Sequence, residues 1–328
     1  MNPAAYTTDF PRPTLGVSAC LLGQPVRYDG GHKRHEFLVE VLARHVDYIP
    51  LCPEAGIGLG IPRPPIQLVG EPGRPRARGI QDPSVDVTEQ LQHYAEQQLP
   101  QLQCASGYLF KKNSPSCGLR RVKLFASPGA HMRRRGTGIF AGAVTAALPL
   151  LPVEEEDALD DPRRRNSFLC RLYACRRWQT WVESDLSHGE LQTFHDAYVH
   201  LVMAHSRAAA QRLARLLAAA GEQPSVTDAR RYIRELLAAL ARPASVAGHS
   251  AAQQALAGRL TLTRPLRARL SDRLQAYRDG RVSLHAAIAA LREALAHQDP
   301  ECPAGHAYLY PFPDSLRNFD SGQTFADY

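Results

Sequence analysis

Short apolar runs alternate with helix-spaced segments over the first half of the chain. Thr14–Ser18, Val46–Leu51 and Ser106–Lys111 (SGYLFK) are compact, rich in branched and aromatic residues, and bounded by polar or turn-forming positions, which predicts strands. Glu36–His45 and Val87–Leu99 repeat apolar residues every three or four positions and predict helices. Strands that alternate with helices imply an α/β domain with a Rossmann-like sheet, whose chemistry sits on loops leaving strand ends. Beyond residue 163 the pattern changes, because proline and glycine thin out and alanine, leucine and arginine dominate. Helices are expected over 164–184, 188–220, 225–241, 245–260, 264–278 and 283–298, with breaks near Gly221, Pro243 and Gly280. The chain therefore reads as an α/β domain over 1–150 and an all-α domain over 163–328. The acidic stretch 151–162, with Glu154, Glu155, Glu156 and Asp157, reads as a linker between them.

A chain of 328 residues is long enough for a core in each domain. Hydrophobic residues make up 44% and no uninterrupted apolar run reaches membrane-spanning length, so a membrane partner is not expected. The start of the sequence is polar and proline-containing, unlike a secretory leader, and the expected location is the cytoplasm, where thiols stay reduced. The net charge of +7 is unevenly placed. Residues 1–150 carry 17 Lys and Arg against 11 Asp and Glu, leaving 22 against 21 for the rest. The basic excess accompanies the α/β domain and is compatible with a phosphate-bearing substrate.

Seven cysteines are present, and three stand in unusual settings: Ser18-Ala19-Cys20-Leu21, Leu51-Cys52-Pro53-Glu54-Ala55-Gly56, and Asn113-Ser114-Pro115-Ser116-Cys117-Gly118. Each follows closely on a predicted strand, so all three reach one edge of the sheet. Three thiolates can hold three irons of a cubane cluster and leave the fourth open as a Lewis acid. By spacing alone, buried structural cysteines or a cysteine nucleophile remain open readings, since no compact zinc pattern is present. Glu54 lies two positions after Cys52, and Pro53 stiffens the chain between them, which places an acid or base beside a metal-bound substrate. Cys104, Cys170, Cys175 and Cys302 are left outside the site; Cys170 and Cys175 share a predicted helix and read as packing.

The ordered motifs resemble a known family. Val17 to Gly23, Val26 to Gly30, Cys52-Pro53-Glu54 leading to Gly58-Leu59 and Pro62-Arg63-Pro64-Pro65, Lys112 to Gly118, and Gly136 to Phe140 are similar over 13–150 to the thiouracil desulfidases. Phe168 to Trp178, Leu191 to Ser206 and the tail Tyr308 to Pro313 with Leu316-Arg317-Asn318 resemble the helical domain often fused to that module. The resemblance implies a 4Fe-4S cluster held by Cys20, Cys52 and Cys117 with one open iron, Glu54 as acid or base, and Ser114 as a catalytic hydroxyl. A turn serine that bonds the backbone is the plainer reading of Ser114. Ser18, Lys112, Ser116, Gly136 and Thr137 are candidate substrate contacts. Arg176, Arg177, Trp178, His195 and His205 are candidate RNA contacts.

Such fused chains are similar to bacterial enzymes that remove sulfur from 4-thiouridine in tRNA. The expected activity is hydrolytic, non-redox desulfuration of thiolated uracil, with tRNA as the partner. Two alternatives stand beside it. One is the same reaction on free 2-thiouracil or 4-thiouridine monophosphate; the other is a non-catalytic metal-containing RNA-binding protein, iron–sulfur or zinc, which zinc closed by a fourth cysteine such as Cys104 would favour.

Overall fold

The computed structural model describes residues 10–127, 132–182, 187–296 and 306–317. It divides into two compact units, one formed by Arg12–Arg165 and the other by the residues from Asn166 onward with Phe10 and Pro11.

The first unit holds β1 (Thr14–Ser18), β2 (Asp47–Leu51), α1 (Pro53–Gly56), β3 (Ile66–Glu71), β4 (Arg74–Gly79), α2 (Thr88–Gln103), β5 (Gly107–Phe110), β6 (Val122–Phe125), β7 (Met132–Gly136), α3 (Ile139–Ala147) and β8 (Val153–Glu155). The main sheet runs β2-β1-β5-β8 with every pairing parallel. Parallel strands covered on both faces read as continuous apolar runs, and all four residues of β5 are buried. Tyr108, Phe110 and Phe140 pack with Ala95, Leu102 and Val144, so α2 and α3 supply the cover. A second sheet, β4-β3-β6-β7, encloses Leu68, Ala77, Leu91, Val122 and Leu124.

Register explains how the cysteine loops meet. Ser18 of β1 pairs with Leu51 of β2, and Val17 with Leu109 of β5. The chain therefore leaves three neighbouring strands at the same sheet end, where parallel α/β sheets place their sites.

Three expectations in this unit are corrected. Val153–Glu155 is a strand of the main sheet, and Glu154, Glu155 and Glu156 are buried, so the acidic stretch belongs to the first unit and is no linker. The expected helix at Glu36–His45 is a π turn at Phe37–Val41 followed by a 3-10 turn at Leu42–Arg44. The helix expected to stop at Leu99 runs on to Gln103 through Pro100. Leu91, Ala95 and Leu102 keep one face of α2 buried, and that packing offsets the hydrogen bond that proline removes.

The second unit is helical: α4 (Pro162–Val182, begun in the first unit), α5 (His188–His205), α6 (Arg207–Ala219), α7 (Val226–Leu240), α8 (Val246–Gly258), α9 (Arg264–Arg278), α10 (Leu284–Ala296) and the short α11 (His306–Leu309). The single helix expected over 188–220 is two. Ser206 is extended, and its hydroxyl accepts from the Ala209 amide at 3.2 Å as an N-cap. Ser225 and Asp228 form a capping box that starts α7. No helix among the described residues is long and apolar enough to cross a membrane.

Candidate functional site

A cavity of about 550 Å³ opens in the first unit, among the loops after β1, β2 and β5. Cys20, Cys52 and Cys117 all line it, together with Ser18, Glu54, Arg63, Lys112 and Ser114. Cys20 and Cys117 are buried and Cys52 is half-buried. Burial pushes the Cys20 thiol up to about 11, with the neighbouring Cys52 adding to the rise. Burial also raises Cys52, and it raises Cys117 well above an ordinary thiol. Binding an electrophile here must therefore displace protons from the thiols. Among the described residues, no three His, Cys, Asp or Glu side chains converge closely enough for a single metal ion.

Glu54 begins the single turn of α1, with Pro53 at its first position. Its Oε1 accepts from Ser116 Oγ at 2.8 Å, and its Oε2 from Arg63 Nε at 3.0 Å. Arg63 has a side chain only 3% exposed. Its other nitrogens donate to the Gly60 and Val26 carbonyls, both at 3.0 Å, and Nη2 lies 4.0 Å from Cys52 Sγ. A guanidinium fixed at every nitrogen holds the carboxylate in one orientation beside a thiol. Close packing of α1 depends on Gly56, where a Cβ would sit 2.3 Å from the Tyr94 ring.

The Cys117 loop is built around Ser114. Its Oγ accepts from the amides of Ser116 and Cys117 at 3.2 and 3.1 Å, so the turn serine is confirmed. Both acceptor positions of the hydroxyl are thereby filled, and its remaining capacity is to donate. Gly138 lets α3 press against this loop, since a Cβ there would meet the Ser116 carbonyl at 2.5 Å.

The acidic triplet fastens the same loops from behind. Glu156 pairs with Lys111 Nζ and accepts from the Lys112 amide at 2.7 Å. Glu155 accepts from the Leu119 and Arg120 amides at 2.9 and 3.1 Å, and Glu154 meets Arg120 at 3.0 Å. Burial raises the Glu155 carboxyl, opposed by those two amides. Neither Arg63 nor this triplet was assigned to the site by sequence; the proline-flanked Arg63 between Cys52 and β3 was the available signal, and the triplet offered none.

The remaining expectations divide. Ser18 lines the cavity and accepts from the Lys111 amide at 2.9 Å, and Lys112 lines the wall. Ser116 is fully buried and reaches Glu54 rather than the open space. Gly136 and Thr137 are not brought to the cavity: Gly136 ends β7, and Thr137 Oγ1 donates to the Leu119 carbonyl at 3.2 Å. Cys104 is exposed beyond α2 and away from the cavity, so it does not close a fourth ligand position there. Cys170 and Cys175 are buried in α4, and Cys302 lies outside the described residues.

Of the candidate RNA contacts, Arg177, Trp178 and His195 are buried, whereas Arg176 and His205 are half-buried. Trp178 stacks on Tyr232 inside the helical unit, and His195 bonds the Tyr232 hydroxyl at 3.0 Å. Arg177 is 7% exposed and reaches the Tyr198 hydroxyl and the Tyr310 carbonyl, each at 3.2 Å. His205 bonds the Arg242 carbonyl, and Arg176 has a buried Nε. Arginines do gather elsewhere: Arg212, Arg215, Arg231 and Arg234 line a cleft between α6 and α7, with Glu235 as its one carboxylate.

Comparison with known proteins adds the following. Residues 15–156 match the model of the family described as 2-thiouracil desulfurase. Residues 200–313 match a family described only as protein of unknown function, DUF1722. Among solved structures, a 4Fe-4S-dependent thiouracil desulfidase, TudS, is 32% identical, with a TM-score of 0.37; the match covers 46% of this chain and 95% of that one. No curated protein matches.

Proposed function

We propose, from the premise that the chain belongs to the 2-thiouracil desulfurase family, that it removes sulfur from thiolated uracil by hydrolysis, with 4-thiouridine in tRNA as substrate. The observation that carries this reading is the lining of one cavity by Cys20, Cys52, Cys117, Glu54 and Ser114.

The donor set fits a 4Fe-4S cluster: the thiols of Cys20, Cys52 and Cys117 line one chamber. Cys20, Cys52 and Cys117 would hold it, and when bound it supplies an open iron that acts as a Lewis acid toward the thione sulfur. Glu54, aimed by Arg63 and Ser116, takes the proton of the attacking water. Ser114 donates its hydroxyl hydrogen to the pyrimidine or to that water, because its lone pairs are engaged by the loop. Sulfide leaves as oxygen replaces sulfur, so no net electron transfer is required.

The tRNA assignment is supported by charge. Lys33, Lys112 and Lys123 line the cavity without an ion-pair partner among the described residues, and the arginine cleft between α6 and α7 adds a basic surface on the helical unit. The cavity volume alone favours a second reading, a free thiolated base or nucleotide, since about 300–1,000 Å³ is the usual range of small-molecule sites.

The deciding experiment is anaerobic reconstitution with iron and sulfide, followed by mass-spectrometric counting of 4-thiouridine in tRNA. Cluster-dependent conversion to uridine is expected. Conversion of free thiouracil with tRNA left unchanged selects the second reading, and failure to assemble a cluster rejects both.

A further inference from the structure

Away from the cysteine cavity, a smaller pocket of about 220 Å³ lies between α8 and α9 of the helical unit. Its lining combines apolar residues, Ala257, Leu262, Leu270 and Leu274, with the side chains of Ser250 and Gln253. Gln253 is 1% exposed, and among the described residues neither its amide oxygen nor its amide nitrogen makes a well-formed hydrogen bond. The Ser250 hydroxyl, in a residue 7% exposed, likewise has no partner among the described residues. The Tyr308 hydroxyl interacts weakly with this amide and bonds His249 Nδ1 at 3.2 Å.

A buried amide with no well-formed bond at either end is costly and rare in a settled core. Retained on the wall of a pocket, it is a ready pair of one donor and one acceptor, side by side. Nucleobase edges present the complementary pair, and a glutamine amide meets them in bidentate fashion. The leucine walls suit the faces of a flat ring, and the volume admits one ring rather than a larger ligand.

Charge supplies the rest of the ligand. Arg267 and Arg278 border the pocket, and α9 carries five arginines against Asp272 alone. Such a helix follows a phosphate backbone, and the pocket receives a base splayed away from it. We propose that the pocket between α8 and α9 binds one unstacked base of single-stranded RNA, read by Gln253 and Ser250, with the flanking phosphates on the arginines of α9. This site goes beyond the reaction at the cysteine cavity and stands on separate residues.

The test is fluorescence anisotropy of labelled hexameric oligoadenylate and oligouridylate on the full, cluster-loaded chain. Gln253→Leu is expected to weaken binding about tenfold and to flatten the difference between the two oligomers, as loss of one bidentate base contact does. Arg278→Ala is expected to lower the slope of log affinity against log salt by about one for both oligomers. Circular dichroism melting confirms folding, and Gln253→Asn, which keeps the amide, serves as the conservative variant and is expected to retain the preference in part. Unchanged affinity and preference in folded Gln253→Leu overturn the proposal, as does failure of the parent chain to bind either oligomer. Displacement of the oligomers by equimolar AMP or UMP overturns the RNA assignment and gives the pocket to free nucleotides. Cluster content, read by visible absorption of the same samples, is expected to persist in every variant, so failure of this site is separable from failure of the desulfidase reading.

Discussion

Around the cysteine cavity of the α/β unit, a buried charge meets a half-buried one: Arg63 on Glu54 and Glu156 on Lys111, while Glu155 accepts from two backbone amides. The helical unit fills its interior with histidines instead. Burial lowers His195 and His205, and it lowers His200 to about 4 and His249 to about 3. The contrast separates two uses of buried polarity. Ion pairs in the first unit fix loops that must leave a sheet and still hold a shape, whereas the neutral imidazoles of the second fill space and bond tyrosine hydroxyls or a carbonyl. Catalytic geometry belongs to the first use, and sensitivity to acid to the second.

The largest effect expected is at the thiols. Cys52→Ala or Cys117→Ala abolishes the visible absorption of the reconstituted protein together with turnover, because two protein ligands do not retain a three-thiolate cluster. Equal iron content in parent and variant sinks the ligand assignment. Next comes Glu54→Gln, which keeps the cluster and the Ser116 contact but removes the base. A rate lower by on the order of 10²–10⁴ is expected, with absorption unchanged. Parent-like turnover rejects the role of Glu54.

Acid sharpens the comparison. The buried histidines are neutral in the fold, while the unfolded chain binds their protons near pH 6.5. Because the folded values are depressed, their contribution is complete above pH 6.5 and is lost as pH falls toward about 4 and about 3. The helical unit is therefore expected to lose stability first, with a slope of up to about 1.4 kcal/mol per pH unit for each histidine. Hydrogen exchange from pH 7 to pH 4.5 reads it: opening confined to the α/β unit breaks the comparison.

Two smaller changes bracket it. Glu156→Gln leaves Lys111 without its carboxylate in a half-closed setting and is expected to cost about 1–3 kcal/mol in denaturant melts, with looser cluster retention. Ser206→Ala removes the cap of α6 and is expected to cost about 1 kcal/mol, with no change in cluster content. If Ser206→Ala and Glu156→Gln affect the cluster equally, the first unit has no special hold on its loops.

Much of the site was legible locally. Each of Cys20, Cys52 and Cys117 follows a strand that its own residues specify, and parallel pairing sends such strand ends to one edge. Glu54 was singled out through the proline beside it, and Ser114 through the family resemblance. Three of the candidate RNA contacts turned out buried, because arginine, tryptophan and histidine look alike in sequence whether they face solvent or core. In Trp178, Arg177 and His195 the core prevailed, through Tyr232, Tyr198 and a carbonyl far along the chain.

What the sequence by itself determined is the division into an α/β and an α-helical part, the strand ends on which the three thiols stand, and the family to which their settings belong. These follow from periodicity and from residues within a few positions of one another. Tertiary structure alone decided that Glu154, Glu155 and Glu156 form a buried clamp rather than a linker, that Arg63 aims Glu54, and that Gln253 is sealed against a pocket without a well-formed hydrogen bond among the described residues. The reason is distance along the chain. A carboxylate is stable when buried only if a donor from elsewhere arrives to meet it, and for Glu156 that donor lies 45 residues away, on the loop after β5.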